Sequence, residues 1–157
     1  MPGIEPSKGS QLQRSSSARL ASALPQDWSD QDFCEAFESL EIPKEMFHHR
    51  EHIRLAWIYS HHFSEEQALA RIVQGIQAFA KHHGVTDKYH HTITVAWMRL
   101  VWHAAGQTAL APDFNTFAAA RSHLLNSRLL GDYYSTARLQ SDAARHTWME
   151  PDLCLLP

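Results

Sequence analysis

Residues 64–84, SEEQALARIVQGIQAFAKHHG, decide the fold class of this chain. The segment opens with Ser64 and Gln67 in the spacing of a capping box, and it closes at Gly84, which favours a helix C-terminus. Its apolar residues recur every three or four positions and are Leu69, Ile72, Val73, Ile76, Phe79 and Ala80. This period predicts one amphipathic helix that buries a single face.

Comparable patterns lie on both sides of this helix. Further helices are predicted after Asp27 or Ser29, from Pro43 to about His62, from Thr86 or Asp87 to about Ala105, after Asp113, and after Ser141. No segment alternates apolar and polar residues as a half-buried strand does. Because the connections are short, consecutive helices should be antiparallel neighbours. We therefore predict an all-α, single-domain antiparallel bundle of five to six helices over residues 27–157, with an extended C-terminal tail.

The length and composition fit one globular domain. The chain has 157 residues, of which 44% are hydrophobic and 20% are charged, and its formal net charge is -3. The acidic balance argues against a nucleic-acid-binding surface, and no apolar run is long enough to cross a membrane. The two cysteines, Cys34 and Cys154, are too few for a disulfide scaffold, which favours a cytoplasmic location.

Residues 1–26 differ in composition from the rest of the chain. They contain no aromatic residue and are rich in serine, so they cannot bury enough apolar surface to offset the entropy of ordering. We predict that this N-terminal segment is disordered. Its basic, serine-rich composition is also that of a transit peptide, so a targeting role stays open.

Histidine is the unusual residue of this sequence, with 12 copies. The helical period sorts these residues into inward and outward positions on the predicted helices. Four of them, His49, His52, His83 and His90, fall on apolar faces. In an antiparallel bundle all four belong to the same end, so we expect them to lie close together.

The inward histidines have the spacing of metal ligands. His49 and His52 form a His-x-x-His pair, whose rings lie on neighbouring turns and can chelate one ion. With His90 from a facing helix, they would form a three-histidine site that leaves one position open for water or substrate. Such a site suits zinc, copper or iron. The pattern predicts a small metal-dependent enzyme, either hydrolytic or oxidative.

Other side chains lie within reach of this predicted site. Five residues could act as additional metal ligands or fix the tautomers of the histidines. They are His83, His48, Glu51, Thr94 and Tyr89.

Two other interpretations stay open, in which the inward histidines are core residues or line a ligand pocket without a metal. Inward histidines one turn apart are often hydrogen-bonded core residues, and the chain would then be a non-catalytic module that binds a small molecule or a protein. Its candidate pocket would be formed by Trp97, Tyr133, Tyr134 and Arg138. The expected partner is a small-molecule substrate or ligand, not a nucleic acid or a membrane, and the sequence leaves the oligomeric state open.

Two stretches resemble motifs of a family of small uncharacterised bacterial helical proteins. They are residues 47–57, with the pattern F-x-H-x-x-H-x-R-L-A-W, and residues 89–94, with the pattern Y-H-x-T-I-T. Three C-terminal stretches are similar too: residues 133–135, 141–145 and 151–153. The resemblance covers residue 43 to the end and places histidines at positions 49, 52 and 90. No activity is attached to this family, so the resemblance implies no reaction, substrate or cofactor.

Overall fold

The structure is a computed structural model that describes residues 24–157, so the predicted disorder of residues 1–23 lies outside the described residues. Within this range all regular structure is helical, which confirms the predicted all-α fold. The α-helices of residues 24–157 are α1 (Asp30–Glu38), α2 (His49–His62), α3 (Glu65–His82), α4 (His91–Gly106), α5 (Phe114–Ala120), α6 (Thr136–Leu139) and α7 (Asp142–His146). The single turn α6 was not predicted. None of these helices combines the length and the apolar character needed to cross a membrane.

The core lies between the three longest helices, α2, α3 and α4. Only Phe63 and Ser64 join α2 to α3, and Ser64 caps α3 by accepting a hydrogen bond from the Gln67 N–H, as the capping-box pattern predicts. This two-residue link leaves α2 and α3 in contact, α4 packs against both, and the apolar faces bury side chains such as Ile53 and Val101. The shorter α1 and α5 pack on α2, and α7 packs on α4.

Two of the long helices begin later than the sequence predicts. Pro43 precedes a 3-10 turn, Lys44–Met46, and α2 starts at His49 instead. The turn Thr86–Lys88 likewise precedes α4, which starts at His91. In both cases a histidine is the N-cap residue. The sequence predicts the helix starts at Pro43 and at Thr86 or Asp87, but in the structure these residues lie in or next to the 3-10 turns that precede each helix.

Arg54 is buried, although the helical period places it on a polar face of α2. Its side chain donates three hydrogen bonds of 2.7 Å, to the carboxylate of Asp30 and to the carbonyls of Pro25 and Trp28. Asp30 also accepts the N–H of Phe114. This cluster joins the N-terminal turn to α1, α2 and α5. Residues 24–26, which the composition assigned to the disordered segment, are therefore part of the fold.

The C-terminal residues pack along α4. Thr92 is fully buried, although the helical period places it outward, because its hydroxyl donates to the Thr147 carbonyl and accepts from the Met149 N–H. The Tyr134 hydroxyl donates to the Met149 carbonyl at 3.0 Å. Farther along the chain, the N–H of Leu153 donates to the Tyr133 carbonyl at 3.0 Å. These bonds hold the tail against the bundle.

Candidate functional site

A cavity of about 340 Å³ opens between α2, α3 and α4, and we call it the histidine cavity. This volume lies within the range of small-molecule sites. Its apolar lining residues are Phe47, Ala56, Ile72, Ile76, Ile93, Trp97 and Met98. Its polar lining residues are His48, His49, His52, Lys88, Tyr89, His90 and Thr94. The cavity thus brings together the three histidines that the sequence singled out.

His49 and His52 each use one ring nitrogen to bind a backbone carbonyl. Nε2 of His49 lies 2.8 Å from the Leu124 oxygen, and Nδ1 of His52 lies 2.9 Å from the His48 oxygen. A carbonyl only accepts, so these two nitrogens carry the protons. In the neutral rings, Nδ1 of His49 and Nε2 of His52 are then unprotonated acceptors, and neither has a hydrogen-bond partner within residues 24–157.

His90 has no free ring nitrogen. As the N-cap of α4, it accepts the N–H of Ile93 through Nδ1 at 3.2 Å. Its Nε2 donates to the carbonyl of Leu139 at 2.7 Å. Both nitrogens are therefore committed to the backbone. A metal ion at His90 would have to displace either the helix cap or the link to Leu139.

Burial favours the neutral form of the two available imidazoles. It lowers the pKa of His52 and of His49, because the charged ring loses hydration, while the bonds to backbone carbonyls act in the opposite direction. The rings also pack against aromatic walls, His49 on Trp97 at 4.5 Å and His52 on Phe47 at 4.4 Å between centroids. Both residues thus present hydrogen-bond acceptors on rigid elements.

His49, His52 and His90 line one cavity, but in the described residues they do not meet as one group of metal ligands. Among residues 24–157, no three His, Cys, Asp or Glu side chains are grouped so that they could hold one metal ion. Of the predicted supporting residues, His48, Tyr89 and Thr94 do line the cavity. Glu51 instead accepts the N–H of His48 at 2.9 Å. His83 lies at the end of α3 and donates to the carbonyl of Ile42 at 3.1 Å, away from the cavity lining.

The predicted pocket around Tyr133, Tyr134 and Arg138 is not part of this cavity, although Trp97 is. Tyr134 is 1% exposed and bonded to the tail, and burial raises its pKa to about 12. Arg138 lies 3.9 Å from the carboxylate of Asp152. These side chains hold the C-terminal segment in place. The aromatic composition suggested a pocket because buried structural tyrosines and pocket tyrosines have the same sequence signature.

A second cavity, of about 380 Å³, adjoins the first and was missed by the sequence analysis. The two cavities share the lining residues Phe47, His52, Ile76, Lys88 and Tyr89. Lys44 and Glu45 also line the second cavity. The only signal for Lys88 in the sequence is its position directly before Tyr89 and His90.

Comparisons with models of known protein families, with curated proteins and with solved structures found no match to this chain.

Proposed function

We propose that this protein binds a small, largely apolar organic molecule in the histidine cavity. The observation that carries the proposal is the pair of unprotonated nitrogens, Nδ1 of His49 and Nε2 of His52, on an otherwise mainly aromatic and aliphatic lining. Apolar walls with a few fixed polar groups are the usual composition of a small-molecule site. The bound molecule would fill the apolar volume and donate one or two hydrogen bonds.

His52 is the acceptor whose contribution is easiest to test, because its ring lines both cavities and its orientation is fixed by the His48 carbonyl. The probes are indole and benzofuran, which have similar shapes but differ in one N–H donor. A net hydrogen bond contributes about 1 kcal/mol, so indole should bind about fivefold more tightly than benzofuran. Ligand-observed NMR titration of the full chain measures both affinities.

The matched variants are His52→Leu and His123→Leu, of which the second replaces an exposed histidine outside the cavity. We expect His52→Leu to remove the preference for indole while benzofuran still binds, and we expect His123→Leu to behave as the wild type. If neither probe binds to the wild type, the cavity is not a site for such molecules. If the preference survives in His52→Leu, the ring of His52 is not the acceptor.

A metal-dependent enzyme is the second candidate, and one observation favours it. His49 and His52 each donate one N–H to a backbone carbonyl, which is how metal-ligating histidines are commonly oriented. Both residues line the same cavity. A zinc, copper or iron ion held by this pair, with solvent completing its shell, would supply Lewis-acid or redox chemistry.

Elemental analysis and cobalt titration of protein purified without a metal-affinity tag test the metal candidate. A metal held by the pair should be lost in His52→Leu and retained in His90→Asn, since His90 has no free nitrogen. A metal content near zero in the wild type, with no binding of added cobalt, would rule this candidate out. Loss of metal in both variants would instead restore the three-histidine site predicted from the sequence.

A further inference from the structure

Lys88 lies on the lining that the two cavities share. Among the lining residues of the histidine cavity it is the one side chain with a formal charge, and no aspartate or glutamate lines that cavity. The second cavity adds Lys44 and Glu45, whose charges offset each other. One positive charge therefore remains where the two cavities adjoin.

The backbone around Lys88 is held in place from the C-terminal part of the chain. Lys88 ends the 3-10 turn Thr86–Lys88, and the guanidinium of Arg145 donates to the carbonyls of Asp87 and Tyr89 at 2.7 and 3.2 Å. These bonds fix the residues on either side of Lys88. The backbone of Lys88 is therefore held at a fixed position beside the two cavities.

The ammonium group of Lys88 has no partner in the described part of the chain. No carboxylate of residues 24–157 lies within ion-pair distance of it, and none of their polar groups hydrogen-bonds to it. His52 also lines both cavities, and its Nε2 has no hydrogen-bond partner within residues 24–157. The shared lining therefore combines one unpaired cation, one neutral acceptor and apolar walls.

We propose that the ligand of this site is a small amphipathic acid, with its apolar body in the histidine cavity and its single carboxylate at Lys88. This inference rests on the proposed function. Lys88 is exposed, and because no aspartate or glutamate lines the histidine cavity, its ammonium group can balance one negative charge of a bound molecule. A neutral molecule would leave the charge of Lys88 unused, and a cationic one would be repelled by it.

The test compares indole-3-acetate with tryptophol, which replaces the carboxylate by a neutral hydroxymethyl group, in calorimetric titrations of the full chain. Ion pairs near a protein surface contribute about 0.2–1 kcal/mol, so the acid should bind about 1.4- to 5-fold more tightly at low salt. Added salt should reduce this preference. Lys88→Gln should abolish it, so that the acid and the alcohol bind to this variant with equal affinity. The control Lys81→Gln removes an exposed lysine of α3 that lines neither cavity and should have no effect.

Each outcome separates this inference from the proposed function. Equal affinities of the wild type for the acid and the alcohol would refute the acid preference and leave small-molecule binding intact. A preference that persists in Lys88→Gln would refute the role of Lys88. Failure of both molecules to bind would overturn the proposed function together with the inference.

Discussion

Replacing His90 tests whether this residue is a structural cap or a ligand. In the structure its Nδ1 accepts the N–H of Ile93, the third residue of α4, and its Nε2 donates to the carbonyl of Leu139. His90→Ala removes both bonds. The lost cap costs about 1 kcal/mol, and the lost net bond to Leu139 costs about 1 kcal/mol more. We expect the free energy of unfolding of His90→Ala to fall by about 2 kcal/mol.

His90→Asn separates the two contributions. Asparagine is a preferred N-cap residue, so its side chain can accept the N–H of Ile93, but it is too short to replace the link to Leu139. We expect this variant to lose about 1 kcal/mol, half of the loss in His90→Ala. Urea unfolding followed by tryptophan fluorescence, extrapolated linearly to water, resolves a difference of this size.

The same pair of variants can refute the reasoning. If His90→Asn is as unstable as His90→Ala, the ring does not act as the cap of α4. If both variants are as stable as the wild type, neither hydrogen bond contributes and the assignment of the ring nitrogens is wrong. An exposed control, His123→Ala, should leave the free energy of unfolding within about 0.5 kcal/mol of the wild-type value.

Three further measurements test the packing and the electrostatics. Burial lowers the pKa of His52 from its usual 6.5. Below pH 6.5 the unfolded state therefore binds more protons than the folded state, so the free energy of unfolding should decline as the pH falls. Thermal melts from pH 8 to 5 should show a weaker decline in His52→Gln than in the exposed control His123→Gln; equal slopes would contradict this. Thiol labelling of the native chain should modify exposed Cys154 faster than half-buried Cys34, because burial and the neighbouring Glu38 raise the pKa of Cys34 to about 12. Arg54→Met should lower the free energy of unfolding by about 3–5 kcal/mol, since it removes a buried cation with three hydrogen bonds, and a loss below 1 kcal/mol in urea unfolding would be inconsistent with that role.

The fold could be predicted from the sequence because the signals that specify long helices are local. The apolar period and the capping box of Ser64 and Gln67 predict α3, and the structure places it there. The starts of α2 and α4 were harder to predict. A proline or an aspartate is equally compatible with a 3-10 turn and with the first turn of an α-helix, and only tertiary contacts distinguish them. Here the histidines at positions 48 and 90 cap the helices.

The helical period also misassigned two polar residues. Arg54 and Thr92 lie on faces that the period places in solvent, yet both are buried. In each case the face is covered by a short terminal segment, the turn at Pro25 over Arg54 and the chain near Thr147 over Thr92. Segments without periodicity carry no sequence signal for where they pack. A buried polar residue is therefore recognisable only once its backbone partners are known.

The histidine cavity was predicted in part, for a definite reason. The helical period identified the faces of His49 and His52, and their rings do line one cavity. It could not identify the partners of the rings, because these are the carbonyls of Leu124 and His48, and every residue has a carbonyl. Without those partners, no sequence pattern can tell which ring nitrogen is free. The sequence therefore predicts three metal ligands. Within residues 24–157, only His49 and His52 of the three keep a ring nitrogen without a hydrogen-bond partner.

Long-range hydrogen bonds give three of the twelve imidazoles a structural role. Three rings join distant parts of the chain, from His49 to the carbonyl of Leu124, from His83 to that of Ile42 and from His90 to that of Leu139. A neutral imidazole has one donor and one acceptor on a rigid ring, so it can hold a loop with one nitrogen and use the other elsewhere. At His90 the second nitrogen caps a helix, whereas at His49 it stays available to a ligand. Because the carbonyl bond of His49 fixes its tautomer, a bound molecule meets an acceptor that is already oriented and need not pay to order it.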